Sequence, residues 1–473
     1  MEISQRNVDI DMDVNLVIFG ATGDLMHEKL IPAVNALLVH DQIGSQSQII
    51  AVGRRELTTE EYKAEACKKL PENFESKLIW GHLTYVYIDF HDPMSYEKIY
   101  QAITNHTLDK VFYLATPPTL FPIIAWGLHE SDLIEKGNAH HRIVFEKPYG
   151  VDLDHSEEIN QDMYIYFKEA QIYRIDHYLG KEMIQALFAV RFANKMFEHI
   201  WNHESIDSVY IIAKESINVK TRGPYYDKVG ALKDMVQSHL LQMAALVAMD
   251  EPKSMNADDI RDEKVKVLKD FHIPTESIVF GQYEGYNQTE GIDPNTQTET
   301  AVYFHASLNS ERFKNTKFHF ITGKSLSEKR SEIVIKFKPH SKEKAFFNET
   351  VLFPNELRIK VAPVEGVSIQ FNVKKPGLEN EIIPKNLDYY HHEDATGNIP
   401  EAYEKLLHEV CLGSPTLFTR WDEIYTSWKI IDHIKAHAKT PLPYKDSQTF
   451  EALLEAKNLE VDRDLRRING HHF

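Results

Sequence analysis

The 473-residue sequence predicts α/β followed by α+β architecture. Residues 1–178 are expected to form one domain with a parallel sheet, and residues 179–473 a larger domain around a mostly antiparallel sheet. Three observations support this. Short β-branched runs alternate with helix-period segments from Val14 to Gly150, which is how βαβ units read. The first of these runs ends in a glycine turn that opens a helix. Beyond residue 178, strand-like runs crowd together with the helices placed elsewhere, as in an antiparallel sheet with short connections.

The elements follow in order. VNLVIFG (14–20) is an apolar β-branched run ending in Gly. In the next stretch Leu25, Leu30, Val34 and Leu38 recur at helical intervals. Pro32 lies among them, so this helix is expected to kink or to begin late. QIIAVG (48–53), TYVYIDF (84–90), KVFYLATPP (110–118) and IVFEKPYG (143–150) supply further strands, with helices near 59–69 and 95–104. A strand at 208–216 and an apolar helix at 231–249 open the second domain. Strands are then expected at 278–286, 299–308, 317–323, 332–339, 356–363 and 366–373, and helices at 400–413 and 420–438. There is no internal repeat and no low-complexity segment.

Composition narrows the function. Hydrophobic residues make up 42% and charged residues 26%, which fits a globular chain rather than a disordered or fibrous one. The net charge is −18, which argues against nucleic acid and anionic membranes as partners. A phosphate-bearing ligand would need basic groups gathered locally against that field. No stretch approaches ~18 uninterrupted apolar residues, so no membrane helix is expected. The start, MEISQRNVDIDMDVN, has four acidic residues and no apolar core, unlike a secretory signal. Cys67 and Cys411 form no disulfide framework, and a reducing cytoplasmic compartment is the default. Metal is not expected either. The pairs His140–His141 and His391–His392, and the tail NGHHF, are adjacent histidines, which chelate one ion poorly.

Four segments look chemical on their own residues. In GATGDL, Gly20 permits a sharp turn and Gly23 permits an anion to approach the amides of a helix start; by itself the segment also fits an ordinary strand-to-helix turn. Arg54 and Arg55 follow the second strand, where an acidic residue would suit NAD and an Arg the 2′-phosphate of NADP. Glu146-Lys147-Pro148 lies at the carboxyl end of a parallel strand, where open α/β sheets bind ligands. RIDHYLGKE (174–182) packs carboxylate, imidazole, phenol and ammonium closely together. On a helical turn His177 and Lys181 share a face and, with Tyr178, would converge on a phosphate.

At this point the chain is similar to the glucose-6-phosphate dehydrogenase family. The resemblance runs through GATGDL, EKPYG, QIYRIDHYLGKEMIQALFAVRFANKMFEHIWN (171–202), LKDMVQSHLLQMAALVAM (232–249), RDEKVKVLK (261–269), TGKSL (322–326) and KKPG (374–377), in the family's order. It implies a Rossmann-type NADP-binding domain and an α+β substrate and dimerisation domain. It also implies oxidation of glucose 6-phosphate to 6-phosphoglucono-1,5-lactone, the first step of the oxidative pentose phosphate pathway. By the resemblance His239 is the base at the C1 hydroxyl and Asp176 its orienting carboxylate. His177, Tyr178 and Lys181 hold the phosphate, Glu215 and Asp234 the sugar hydroxyls, and Lys324 and Lys329 further parts of the substrate. Gly20, Ala21, Thr22, Gly23, Asp24, Leu25, Arg54 and Tyr113 match cofactor positions, and Lys147 touches both ligands. The substrate is expected between the domains, and the chain as a homodimer or homotetramer.

Some positions depart from the family pattern. Met26 and His27 replace the usual residues after GDL, Lys329 stands where some members have Arg, and Ala362 where Gln is common. Arg330 and Lys360 are present where animal members bind a second, structural NADP, but Val334 falls where another Arg is needed, so that second site is not expected. On an α-helix Asp234 and His239 would lie roughly 140° apart. Either the sugar wraps across that helix or Asp234 sits at a bent end. EKP alone also suits dehydrogenases of unphosphorylated sugars, and the departures would suit a non-catalytic dinucleotide sensor. The basic cluster argues against the first, and Asp176 with His239 against the second.

Overall fold

The structure is a computed structural model that describes residues 12–70, 74, 78–339, 352–379, 381–391 and 401–460. It divides into two compact units. Unit 1 comprises Met1–Lys181, Lys253–Arg261 and Pro400–Tyr425; unit 2 comprises Glu182–Pro252, Asp262–Ile399 and Thr426–Phe473. The unbroken division expected at residue 178 is thus replaced by a discontinuous one. The reason is burial: the helix Ala402–Leu412 places Leu406, Leu407, Val410 and Cys411 in the core of unit 1. No helix among the described residues is long and apolar enough to cross a membrane.

Unit 1 is built on strands β1 (Val14–Phe19), β2 (Gln48–Gly53), β3 (Leu83–Tyr87), β4 (Asp109–Leu114), β5 (His141–Phe145) and β6 (Ile172–Ile175). They pair in parallel in the order β6-β5-β4-β1-β2-β3. Phe418–Thr419 adds a short antiparallel strand to β6. All six residues of β1 are buried, as expected of a central parallel strand covered on both faces. The chain leaves β1 toward β2 on one side and returns to β4 on the other, which makes the β1/β4 edge a topological switch point. The first helix does begin late. Met26–Leu30 forms a wide π turn, and Ile31–Val39 continues as α-helix. Pro32 falls in the first turn of that α stretch, where its missing N–H leaves no bond unmade.

β6 was not among the expected strands. Its apolar pattern is broken by Arg174, which is fully buried and held by Glu169 at 2.7 and 3.0 Å and by Asn160 at 2.7 Å. The adjacent histidines make ordinary polar contacts where they are described. His140 Nδ1 lies 2.6 Å from Asp109 Oδ1, and His141 Nδ1 accepts from the Glu135 N–H at 2.9 Å. His392 and the NGHHF tail lie outside the described residues.

Unit 2 holds a ten-stranded sheet. Its strands are β7 (Ile206–Lys214), β8 (Phe271–His272), β9 (Val279–Tyr283), β10 (Ala301–Leu308), β11 (Lys317–Gly323), β12 (Arg330–Phe337), β13 (Glu356–Ala362), β14 (Gly366–Lys374) and β15 (Ile382–Tyr390), with β17 (Leu442–Tyr444) after β16 (the Phe418–Thr419 strand of unit 1). The order is β15-β14-β13-β12-β7-β11-β10-β9-β17, with β8 beside β10. Pairing is antiparallel except at β7/β11 and β9/β17. β15 escaped the sequence pattern because IIPKNLDYY is polar and contains Pro384, a composition suited to an edge strand.

The middle of this sheet carries a buried ion network. Arg358 sits between Glu332 at 2.9 Å and Glu356 at 2.8 Å, and all three are about as buried as the core. Removing the cation leaves two buried carboxylates short of a partner. Arg358→Met is therefore expected to lower the unfolding free energy by about 3–5 kcal/mol in urea titrations.

Candidate active site

The parallel strands of unit 1 end in step. Phe19 is opposite Val52 and Leu114, Leu114 is opposite Phe145, and Phe145 is opposite Arg174. The residues just beyond these ends, at the glycine turn, Arg54, Glu146-Lys147 and Asp176, therefore share one edge of the sheet.

The turn is tight. Gly20 has φ 89°, and a Cβ there would lie 2.2 Å from the Ala115 carbonyl oxygen. The N–H groups of Gly20 and Ala21 both donate to the Val52 carbonyl, at 3.0 and 3.1 Å. Thr22 and Leu25 are half-buried, and Gly23 and Asp24 are exposed at the helix start. His27 is built into the turn: its Nδ1 donates to the Gly23 carbonyl at 2.7 Å. Burial of this ring lowers its pKa, so it stays neutral. Met26 is fully buried. Both departures thus face inward, toward the packing of the turn.

Of the two arginines, Arg55 is neutralised by a bidentate bond to Glu65 at 2.7 and 2.9 Å. Arg54 is exposed, with its guanidinium 5.9 Å from the Phe90 ring, and makes no ion pair among the described residues. Tyr113 is the last residue but one of its strand, with its side chain turned inward. It is buried and donates its hydroxyl to Glu146, a carboxylate that also bonds Tyr403 and whose pKa is raised by burial. Lys147 is half-buried, and its peptide bond to Pro148 is cis.

Residues 177–180 form a turn between β6 and the helix Glu182–Phe192 rather than a helical turn. Two successive bonds shape it: the Leu179 N–H donates to the Asp176 carbonyl and the Lys181 N–H to the Tyr178 carbonyl, each at 3.0 Å. Asp176 is 1% exposed, and its Oδ1 accepts from the Tyr178 N–H at 2.9 Å. The His177 and Tyr178 rings are 5.1 Å apart, and the Lys181 ammonium lies 5.1 Å from the Tyr178 ring. Imidazole, phenol and ammonium are thus gathered, as the spacing implied, by a different local geometry.

Unit 2 collects a second group. Parallel pairing of β7 and β11 sets Lys214 opposite Gly323, so Glu215 and Lys324 emerge side by side. The Lys324 ammonium is ion-paired to Glu215, stands 3.8 Å from Asp234 and lies 5.1 Å from the Tyr226 ring. Tyr226 was missed in sequence. It is buried, its hydroxyl has no hydrogen-bond partner among the described residues, and burial beside Asp234 and Glu299 holds it neutral. Lys329 is exposed and makes no ion pair among the described residues, so it is not joined to this group. Arg330 is engaged by Glu328 and Glu332 at 3.4 and 3.2 Å, Lys360 by Asp388 at 3.3 Å, and Val334 is buried.

The expected helix at 231–249 has a surprise in it. Leu232–Leu240 is a π-helix, and only Leu241–Ala248 is α-helical. A π-helix bonds residues five apart, so Asp234 and His239 stand about one turn apart along one side of it. The 140° separation expected of an α-helix does not apply. His239 is fully buried. Glu299 anchors the start of this helix. Its carbonyl accepts from the Ala231 N–H at 3.0 Å and its Oε1 from the Leu232 N–H at 2.9 Å. Gly230, with φ 69°, is required there, because a Cβ would meet the Glu299 carboxylate at 2.3 Å. The only trace of this in sequence is Gly230 interrupting a helical pattern.

Fold and side chains define a class: an oxidoreductase with a nicotinamide dinucleotide as partner. Residues 17–186 match the NAD binding domain of glucose-6-phosphate dehydrogenase, and residues 188–458 match its C-terminal domain. The chain belongs to the glucose-6-phosphate dehydrogenase family. It is 38% identical over 463 residues to the glucose-6-phosphate 1-dehydrogenase of Streptococcus pneumoniae, covering 92% of each chain. It is 37% identical to that of Bacillus subtilis, covering 89% of this chain and 90% of the other. A solved glucose-6-phosphate dehydrogenase in complex with its substrate glucose 6-phosphate superposes with a TM-score of 0.87 at 30% identity, over 96% of this chain and 99% of that one. A levoglucosan dehydrogenase, with a TM-score of 0.51 at 12% identity over 90% of this chain and 97% of that one, shares the fold alone.

Burial pushes the Glu299 carboxyl up to about 7, against the Leu232 N–H and the lysines 435 and 233, which favour its anion. A carboxyl raised on folding loses stability as pH rises between its unfolded and folded values, because the unfolded chain ionises first. Glu299→Gln should therefore gain stability relative to the parent as pH rises from its ordinary 4.5 to about 7. Urea unfolding of both proteins across that range checks this; a difference independent of pH would contradict it.

Proposed function

We propose that this chain oxidises glucose 6-phosphate at C1 to 6-phosphoglucono-1,5-lactone with NADP as hydride acceptor. The observation that carries the reading is the π-helix of unit 2, which stands Asp234 and His239 one turn apart with Lys324 and Glu215 beside Asp234. In this reading His239 takes the C1 hydroxyl proton as the C1 hydride departs, since an imidazole with an ordinary pKa near 6.5 suits a base at neutral pH. Asp176 orients that ring and offsets the charge it gains. Glu215 and Asp234 accept hydrogen bonds from sugar hydroxyls, and Lys324 fixes both carboxylates. His177, Tyr178 and Lys181 supply the positive and donor groups for the phosphate, and Lys147 reaches both ligands.

When bound, the nicotinamide supplies the hydride-accepting carbon. The unit 1 edge suits such a cofactor: at Gly20 a Cβ would close the turn, and the helix start beside it is exposed. NADP rather than NAD is supported by the free charge of Arg54 beside an Arg55 already paired to Glu65. We also assign the chain to the cytoplasm and to a homo-oligomer. Leu387 and Tyr389 of the outer strand β15 are exposed at 62% and 42%, apolar groups that a second copy of the chain would cover.

Two measurements test this. His239→Asn should lower kcat for NADPH formation by at least ~10² with the KM for glucose 6-phosphate little changed, the scale of a lost general base; near-normal turnover would remove His239 from that role. Arg54→Ala should lower kcat/KM for NADP by about tenfold or more while leaving the NAD reaction nearly untouched, since only the 2′-phosphate distinguishes the two.

A further inference from the structure

Unit 2 contains a cavity of about 400 Å³ that none of the proposed catalytic side chains uses. It opens behind the start of the π-helix. Its lining includes Lys228 from the helix Gly223–Ala231, Lys233 from the π-helix, and Lys435 and Lys439 from the end of the helix Trp421–Ala436 and just beyond. Asp227 and Glu299 are the carboxylates among its lining residues.

Even with Lys233 set aside, Lys228, Lys435 and Lys439 outnumber the two carboxylates, in a chain whose net charge is −18. Both carboxylates also accept from neutral donors. Asp227 Oδ1 accepts from Tyr286 at 3.0 Å and from Thr296 at 2.6 Å, and Glu299 accepts from the Leu232 N–H. Lys228, Lys435 and Lys439 make no ion pair among the described residues, and the Lys233 ammonium lies 6.0 Å from the Trp428 ring. A single exposed lysine is ordinary. Lysines from three separate segments around one concavity, with Leu232 and Phe280 as apolar wall and Thr440 as a hydroxyl donor, make a surface that like-charge repulsion disfavours when it is empty. The volume falls within the range of small-molecule sites.

We propose that this cavity binds a small, multiply charged phosphate compound, and that its occupancy is transmitted to the helix that carries Asp234 and His239. The linkage is short. Leu232 and Lys233 both line the cavity and form the first turn of that helix, and Glu299, which lines the cavity too, holds the turn in place. An anion drawing Lys233, Lys435 and Lys439 together takes their field away from Glu299 and braces the turn. This goes beyond the proposed substrate and cofactor contacts, which involve other residues.

The probe is inorganic pyrophosphate, titrated calorimetrically into three full-length proteins: the parent, Lys435→Ala/Lys439→Ala, and His177→Ala/Lys181→Ala. The first double variant alters exposed side chains, and an unchanged melting temperature and basal kcat verify its fold. Saturable binding by the parent, weakened at least ~10-fold in Lys435→Ala/Lys439→Ala and retained in His177→Ala/Lys181→Ala, supports the proposal, as does a pyrophosphate-dependent change in kcat that is lost with Lys435 and Lys439. Equal affinity in the parent and Lys435→Ala/Lys439→Ala overturns it. So does binding that disappears with His177 and Lys181, which places the anion at the proposed substrate phosphate site, or an absence of saturable binding.

Discussion

Strands that run parallel and stop together lay out the chemistry of this chain. In unit 1 the ends of β1, β2, β4, β5 and β6 are in register, so the residue after each strand arrives at a common edge. In unit 2 one parallel pair in an otherwise mostly antiparallel sheet does the same for Glu215 and Lys324. Antiparallel neighbours would have sent their following residues to opposite ends of the sheet. The polar groups can leave the hydrogen-bonded sheets at these points because the strands beneath them are buried and fixed.

Electrostatics sorts the basic residues into two groups. Arg55, Arg142, Arg174 and Arg358 are bound to carboxylates close by. They brace the fold; buried Arg191 does so instead through the carbonyls of Leu246 and Met249, at 2.6 and 2.7 Å. Arg54, by contrast, stands at the carboxyl edge of unit 1 without such a partner among the described residues, and the ammonium of Lys324 is shared between Glu215 and Asp234. In an acidic chain, a cation such as Arg54 that no nearby carboxylate neutralises marks where an anion can be received.

The wide helix at Leu232–Leu240 shows how a local irregularity serves chemistry. A π-helix is less well packed along its axis than an α-helix and persists only where its surroundings favour it. Here Glu299 accepts two successive N–H groups, through its carbonyl and its carboxylate, and Gly230 adopts the left-handed conformation that lets them meet. Buried Tyr226 and the ion-paired Lys324 complete the surroundings on the Asp234 side.

Much of this was legible in the sequence. β-branched runs read as strands because they are buried on both faces, and GATGDL and DHYLGKE placed chemical groups at the turns that follow them. The composition of Arg54 and Arg55 pointed to an anion, but not to which arginine Glu65 would neutralise. Sequence period could not reveal β6, whose Arg174 is buried only because Glu169 and Asn160 reach it, nor β15, whose polarity suits an edge. Nor could it reveal that Tyr113 turns inward to Glu146, that His27 closes the glycine turn, or that residues 253–261 and 400–425 join unit 1. The spacing of Asp234 and His239 was fixed by the chain, whereas their relative direction depended on whether the helix bonded residues four or five apart. The start of that helix is held by Glu299, a residue 60 or more positions away, and contacts of such range are decided by tertiary packing alone.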